Sequence, residues 1–363
     1  MKIIVSAGGT GGHIYPALAI INKFKEKEDN LDVLYIGTHN RMEKDLIPER
    51  GIKYEPIEIY GFSKSDILLD FKNLFLIPKA TKRCIEIMKE FKPDLVLGIG
   101  GYVTYPVITA AHKLGIKTFI HEQNSIPGKS NLVLQNKVDL IGVSFKESAT
   151  KFKDQSKVFY SGNPCGENAL SLEPMDKTTL GFHKDKKLII VVAGSLGSAT
   201  VNSKMKEFLH SVPDKYEVLY ITGKALYEDF IKDETFNENV KVVPYLDNLA
   251  ALLKNADLIV TRAGASTMAE ILSLNLPAIF IPSPFVANNH QYYNAMEIKK
   301  NGGGDVIEEK DLTKELLASK IEDVLGDTEK YHQMKENLKK MSMNNSSEVI
   351  YNKLKDLMKW SKN

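Results

Sequence analysis

The sequence predicts two α/β domains in tandem, each a parallel sheet covered by helices on both faces. Three observations point to this class. Short apolar strand patterns alternate with helical patterns along most of the 363 residues. A strand, a glycine-rich turn and a helix open the chain, and the same three elements restart after a break marked by Pro164, Gly166, Pro174 and Gly181. The length also exceeds what one ordinary core accommodates.

The first strand is Lys2–Ser6, followed by Ala7-Gly-Gly-Thr-Gly-Gly-His13 and a helix from about Ile14 to Lys27. The glycines let backbone approach an anion closely, or simply pack tightly. This is not the dinucleotide fingerprint, because position 14 is Ile14 and the next strand, Val33–Ile36, ends in Gly37 instead of an acid. No Gly-Lys-Ser/Thr follows, so it is not a P-loop either. His13 is a candidate catalyst or a packed cap. Strands follow at Tyr54–Ile59, Asp94–Leu97, Lys117–His121, Leu140–Val143 and Val158–Tyr160, with loops Gly98–Tyr102 and His121–Asn124 at their carboxyl ends.

After the linker, Leu188–Ala193 is a strand and Gly194-Ser-Leu-Gly-Ser198 a second glycine turn. Strands at Val218–Thr222, Val240–Val243, Leu258–Val260 and Ala278–Ile281 follow. The stretch Asp257–Pro277 reads as strand, small-residue turn and a helix from Thr267 to Leu276. Such a helix start is an anion site by construction. Glu270 then either accepts hydrogen bonds from a ribose diol or closes a capping box with Thr267. Ser346–Trp360 is a last helix with Val349, Ile350, Leu354, Leu357 and Met358 on one face.

Composition narrows the function. A net charge of +2 argues against a general nucleic-acid binder. Cys84 and Cys165 have no metal-ligand spacing, so the chain reads as reduced and cytosolic, without zinc. Met1–Ser6 has no signal-peptide layout. No apolar run approaches the ~20 residues that span a bilayer, so any membrane contact is expected to be peripheral. One stretch breaks the soluble pattern. Ile67, Leu68, Leu69, Phe71 and Leu74–Ile77 crowd together, and residues 64–92 carry seven basic side chains against four acidic. This suits an anionic membrane surface, or equally a helix–helix contact with a charged rim.

Several motifs in order carry a resemblance: Gly8-Gly-Thr-Gly-Gly-His13, Arg41-Met-Glu43, Gly100-Gly-Tyr102, His121-Glu-Gln-Asn124 and Gly162-Asn-Pro164. Gly194-Ser195-Leu-Gly197, Arg262 to Glu270 and His290-Gln291-Tyr-Tyr-Asn294-Ala continue it. To about residue 310 the chain resembles the MurG family, the transferases that add N-acetylglucosamine to lipid-linked muramyl-pentapeptide in bacterial peptidoglycan synthesis.

The resemblance implies a GT-B fold, two Rossmann-like parallel-sheet domains facing across a cleft. Residues 1–162 would form the acceptor and membrane-facing domain, 163–342 the UDP-N-acetylglucosamine domain, and 343–363 a helix returning to the first. For the donor it implies the Leu246 backbone on uracil and Glu270 on ribose. Ser195, Ala265, Ser266, Thr267 and Met268 would hold the diphosphate and sugar, and Gln291 the sugar hydroxyls. Thr10, Gly11, Gly12 and Asn124 would close over them. Gly100, Gly101 and Tyr102 would take the diphosphate of the acceptor, undecaprenyl-pyrophosphoryl-N-acetylmuramyl-pentapeptide. The enzyme would sit peripherally on the cytoplasmic face of the cell membrane, with Leu68, Leu69, Phe71, Phe75, Lys72 and Lys79 in contact with it.

Transfer would invert the anomeric centre in one displacement. It would use no cofactor or metal, with helix N-termini behind the leaving UDP. His13 would act as base or as an acceptor-positioning group. Gly166 stands where the family carries an arginine near the donor, which shifts charge neutralisation onto helix dipoles or Arg262. A UDP-N-acetylglucosamine 2-epimerase or a non-catalytic sugar-nucleotide binder are the other readings of the same fold.

Overall fold

The structure is a computed structural model that describes residues 1–61, 67–194 and 197–359, with side chains of 67–71 outside the description. Chain contacts divide it into two compact units, Met1–Cys165 with Asn345–Asn363, and Gly166–Asn344.

The first unit contains β1 (Lys2–Ala7), β2 (Asp32–Thr38), β3 (Lys53–Ile57), β4 (Leu95–Gly100), β5 (Lys117–Glu122), β6 (Leu140–Val143) and β7 (Val158–Tyr160). Among the described residues they make a seven-stranded sheet in the order β3-β2-β1-β4-β5-β6-β7, with every pairing parallel. Ile3, Ile4 and Val5 are all fully buried, because side chains alternate between faces and both faces of this strand are covered. Ile4 joins the helices Ile67–Phe91 and Thr104–Lys113 in one core; Ile3 and Val5 join the helix Gly11–Lys27 in another.

The second unit repeats the plan. It holds β8 (Lys187–Val192), β9 (Tyr216–Ile221), β10 (Val240–Val243), β11 (Leu258–Thr261), β12 (Ala278–Phe280) and β13 (Gly304–Val306). The order is β10-β9-β8-β11-β12-β13, again all parallel. β13 escapes the sequence pattern because its first residue is a glycine behind Gly302 and Gly303. That glycine is needed: a Cβ at Gly304 would lie 2.8 Å from the Ala278 carbonyl oxygen. The expected linker also contains a short helix, Cys165–Ser171.

In each sheet the strand order reverses beside the first strand, between β1 and β4 and between β8 and β11. Connections there leave toward opposite faces, so a crevice opens at the strands' carboxyl ends. Both glycine turns lie at these points.

The last helix, Ser346–Lys359, packs within the first unit. Ile350 and Leu354 are fully buried against the core that includes the helix Gly11–Lys27. The Tyr351 hydroxyl and Lys355 ammonium both donate to Glu28 Oε1, at 2.6 and 2.7 Å. Burial rather than the ion pair holds this helix. Leu354→Ala is expected to cost about 2–5 kcal/mol in denaturant unfolding. Lys355→Ala, on a half-exposed pair, is expected to cost about 1 kcal/mol or less.

Candidate functional site

In the first unit, the turn after β1 and the loop after β4 touch backbone to backbone. The Gly8 N–H donates to the Gly100 carbonyl at 3.2 Å. A Cβ at Gly101 would collide with the Gly8 carbonyl, and one at Gly100 with the His13 ring. Gly9, Gly100 and Gly101 have φ of +89°, +119° and +88°, a region that other residues rarely adopt. His13 stands in the first turn of the helix Gly11–Lys27, with Nδ1 3.0 Å from the Gly8 carbonyl. A carbonyl only accepts, so Nδ1 carries the proton and Nε2 is the basic nitrogen of the neutral ring. Thr10 is the exposed N-cap residue, Gly11 and Gly12 are partly buried, and Tyr102 lays its half-buried ring against Gly9 and Gly61.

The loop after β5 is held from beneath. Glu122 Oε1 accepts from the Asn124 N–H (3.0 Å) and amide Nδ2 (3.2 Å), and Oε2 from the Gly128 N–H (2.9 Å) and Asn131 Nδ2 (2.8 Å). Asn124 is thus placed by its neighbour's carboxylate. His121 is fully buried, donates from Nε2 to the Gly162 carbonyl, and accepts at Nδ1 from Gln123; burial lowers its pKa to about 4 and keeps it neutral. Glu122, His121 and Glu43 are functional supports to which the sequence reading assigned no role. For His121 and Glu122 their polar type at a strand end was the available signal, and Glu43, which opens a short helix after β2, had none.

In the second unit the helix after β11 is Ala265–Leu274, beginning two residues earlier than expected, with Gly264 as N-cap. This removes the capping box. Glu270 lies in the second turn, too far along to reach the cap. Among the described residues it has no hydrogen-bond or ion-pair partner, and burial pushes its carboxyl up to about 7. Ala265, Ser266 and Thr267 form the first turn. Met268 is fully buried and its N–H is taken by the Gly264 carbonyl at 2.9 Å, so it supports the turn from inside.

Gln291 lies at the start of the helix His290–Lys300, its Oε1 accepting from the Ser283 N–H at 2.9 Å, which leaves its amide NH₂ as the donor end. Asn294, in the same motif, donates to the Ala263 carbonyl. Leu246 is partly buried in the loop after β10. Ser195 lies outside the described residues.

One expectation about charge needs correction and another finds its reason. Arg262 does not turn toward an anion. It is buried, donates to the Ile281 carbonyl and to Ser198 Oγ at 2.9 Å each, and pairs with Glu309 at 2.5 Å. It braces the turn after β8, whose Ser198 caps the helix Ala199–Leu209. Gly166 has no room for an arginine: a Cβ there would strike Ser273 Oγ and lie 2.7 Å from the Ala269 carbonyl. Both neighbours sit on the helix that carries Glu270.

Of the apolar basic stretch, Leu68, Leu69 and Phe71 have side chains outside the description. Phe75 is 79% and Leu74 58% exposed, whereas Leu76 is buried and Ile77 packs on the core. The stretch is therefore surface on one side only. Lys72 and Lys79 are exposed, with Lys72 bonded to Glu58 at 2.8 Å. Asn73, fully buried, exchanges two hydrogen bonds with the Tyr60 backbone. Adjacent Gly61 packs on Tyr102, which ties this helix to the loop after β4.

Comparison with known proteins agrees with this arrangement. Residues 3–143 match the glycosyltransferase family 28 N-terminal domain and 188–350 the family 28 C-terminal domain. The UDP-N-acetylglucosamine–N-acetylmuramyl-(pentapeptide) pyrophosphoryl-undecaprenol N-acetylglucosamine transferase of Thermoanaerobacter sp. is 41% identical, over 98% of this chain and 100% of its own. The crystal structure of Acinetobacter baumannii MurG superposes with a TM-score of 0.79 at 25% identity, covering 98% and 99% of the two chains. A putative UDP-N-acetylglucosamine 2-epimerase from Listeria monocytogenes shares the fold, at a TM-score of 0.70 and 16% identity over 96% and 94%.

The unpartnered Glu270 sets a pH dependence. Its folded pKa lies above its unfolded value of 4.5, so the folded state holds the proton longer and stability falls as pH rises from 4.5 to about 7. Glu270→Gln removes that loss. The variant is expected to gain on the parent across this window, by about 3 kcal/mol at most, read as a widening difference in Tm between pH 5 and pH 8.

Proposed function

The chain belongs to glycosyltransferase family 28 as a MurG-type N-acetylglucosaminyltransferase, and on that premise we propose how its residues divide one transfer. The reaction moves N-acetylglucosamine from UDP-N-acetylglucosamine to the 4-hydroxyl of lipid-linked N-acetylmuramyl-pentapeptide, converting lipid I to lipid II. The epimerase and sensor readings give way, since full-length likeness runs to the transferases and likeness to an epimerase is one of fold.

The observation that carries the donor assignment is Glu270, a partly buried carboxylate without a partner among the described residues, one turn past the positive end of its helix. A ribose diol supplies the two donors it lacks. The diphosphate then reaches the first turn, Ala265 to Thr267, where N–H groups and the helix dipole favour negative charge. Ser195 adds a hydroxyl, the Leu246 backbone takes the uracil edge, and the Gln291 NH₂ donates to a sugar hydroxyl. Thr10, Gly11, Gly12 and Asn124 complete the donor's surroundings, while Gly100, Gly101 and Tyr102 hold the acceptor's diphosphate.

In the chemical step the acceptor 4-hydroxyl attacks the anomeric carbon from the face opposite UDP. The bond to the diphosphate oxygen breaks and its electron pair leaves with UDP, stabilised by the helix N-terminus. The hydroxyl proton passes to His13 Nε2. His13→Ala is expected to lower kcat by roughly 10²–10⁴ with donor KM little changed. A rise confined to acceptor KM would instead make the residue a positioning group.

Among the described residues no helix is long and apolar enough to cross a membrane. The acceptor's lipid cannot leave the bilayer, so the enzyme comes to the cytoplasmic surface. We assign the contact to the exposed Leu74 and Phe75, with Lys72 and Lys79 toward anionic headgroups, each basic group contributing ~1 kcal/mol near the surface. The tie from Asn73 through Gly61 to Tyr102 links the helix that carries these residues to the loop after β4, which supports the assignment. Leu74→Ser with Phe75→Ser should weaken binding to anionic vesicles and lower activity on long-chain acceptor, while activity on a water-soluble acceptor persists. Unchanged vesicle binding would remove the assignment.

A further inference from the structure

One buried carboxylate is left unused by the transfer so far. Glu43 is fully buried, and its three described hydrogen bonds all come from donors. Oε1 accepts from the Thr38 N–H at 3.1 Å and the Thr38 hydroxyl at 2.6 Å; Oε2 accepts from the Gly9 N–H at 3.3 Å. Gly9 N–H and the Gly8 carbonyl belong to the same peptide group, and that carbonyl accepts from His13 Nδ1 at 3.0 Å. The order is therefore carboxylate, amide N–H, amide carbonyl, imidazole N–H. The packing is close, since a Cβ on Gly8 would collide with Glu43 Oε1.

We propose that Glu43 is a positioning residue that acts on His13 through the Gly8–Gly9 peptide. A negative charge on the N–H side polarises the amide and makes its oxygen a stronger acceptor. The stronger acceptor fixes the tautomer that leaves Nε2 basic, and it favours the imidazolium formed when Nε2 takes a proton. No proton crosses the peptide: the Gly9 hydrogen stays on nitrogen, and the transferred proton enters at Nε2 alone. A carboxylate thus supports a histidine with a peptide group between them.

Among the described residues, the titratable groups around this path include phenols, one acid and one histidine. Tyr35 and Tyr54 pack beside Glu43, both shifted upward by burial and by its charge, and Asp45 follows on the same short helix. Tyr102 and Tyr15 flank Gly9 and Gly11, and His39 turns away onto Tyr60.

The inference deepens the role given to His13, and the test separates the two. In the full-length protein, the His13 ring is titrated by NMR, its signal identified by loss in His13→Ala. In Glu43→Gln the His13 pKa should fall by roughly 0.5–1 unit, and the acid limb of kcat/KM should move with it. Glu43→Asp, one methylene shorter, should give a smaller shift of the same sign and serves if the glutamine variant does not fold. An unchanged His13 titration in a folded variant overturns the proposal, even where His13→Ala is inactive. Conversely, full turnover by His13→Ala would end the base assignment while the NMR shift still upheld the coupling.

Discussion

The structure depends on one topological constraint, the reversal of strand order beside the first strand of each sheet. In a parallel sheet each connection leaves from a carboxyl end, and at the reversal two of them diverge. The loops that remain at that point must pass within backbone contact. In the first unit this brings the Gly8 N–H onto the Gly100 carbonyl and leaves no space for a Cβ at Gly100 or Gly101. The glycines thus serve packing, and His13 is fixed by the same contact because its ring lies where a Gly100 side chain would be. In the second unit the contact across the reversal is made by Arg262, after β11, which donates to Ser198 in the turn after β8, while Gly197 in that turn is pressed against the Thr222 carbonyl after β9.

The two sheets were legible in the sequence because strands covered on both faces are written as unbroken apolar runs. Lys2–Ala7 and Lys187–Val192 are examples, and observed boundaries move by only a residue or two. β13 was not legible, since Gly-Asp-Val at a sheet edge has neither length nor apolar pattern. The helix carrying Glu270 was legible, but its start was not. Thr267 and Glu270 have capping-box spacing, yet Gly264 supplies the extended backbone at the cap and the helix begins before Thr267. Glycine loops announced themselves, whereas their supports did not. Glu43 and Gly9 are 34 positions apart, and only the pairing of β1 with β2 brings the two loops together. Arg262 failed in the opposite sense: a lone arginine beside an anion turn reads as a ligand, and its partner Glu309 lies too far along the chain for spacing to reveal.

The carboxylates then sort by what surrounds them. Glu43 and Glu122 receive three and four hydrogen bonds, from backbone N–H groups, side-chain amides and the Thr38 hydroxyl, which tie their loops together. Such groups are part of the fold, and losing one strands several donors at once. Glu270 is only partly buried and among the described residues receives none of these bonds, and burial raises its pKa to about 7. A fold gains nothing from a desolvated acid without donors, since a neutral side chain of similar shape would be more stable there. Its presence beside a positive helix end is accounted for by donors that arrive with a ligand. A diol meets the requirement, since two hydroxyls can both face one carboxylate while the attached phosphates extend toward the helix start. On the proposed donor assignment, the missing partners among the described residues, more than the charge itself, set Glu270 apart from the supporting carboxylates.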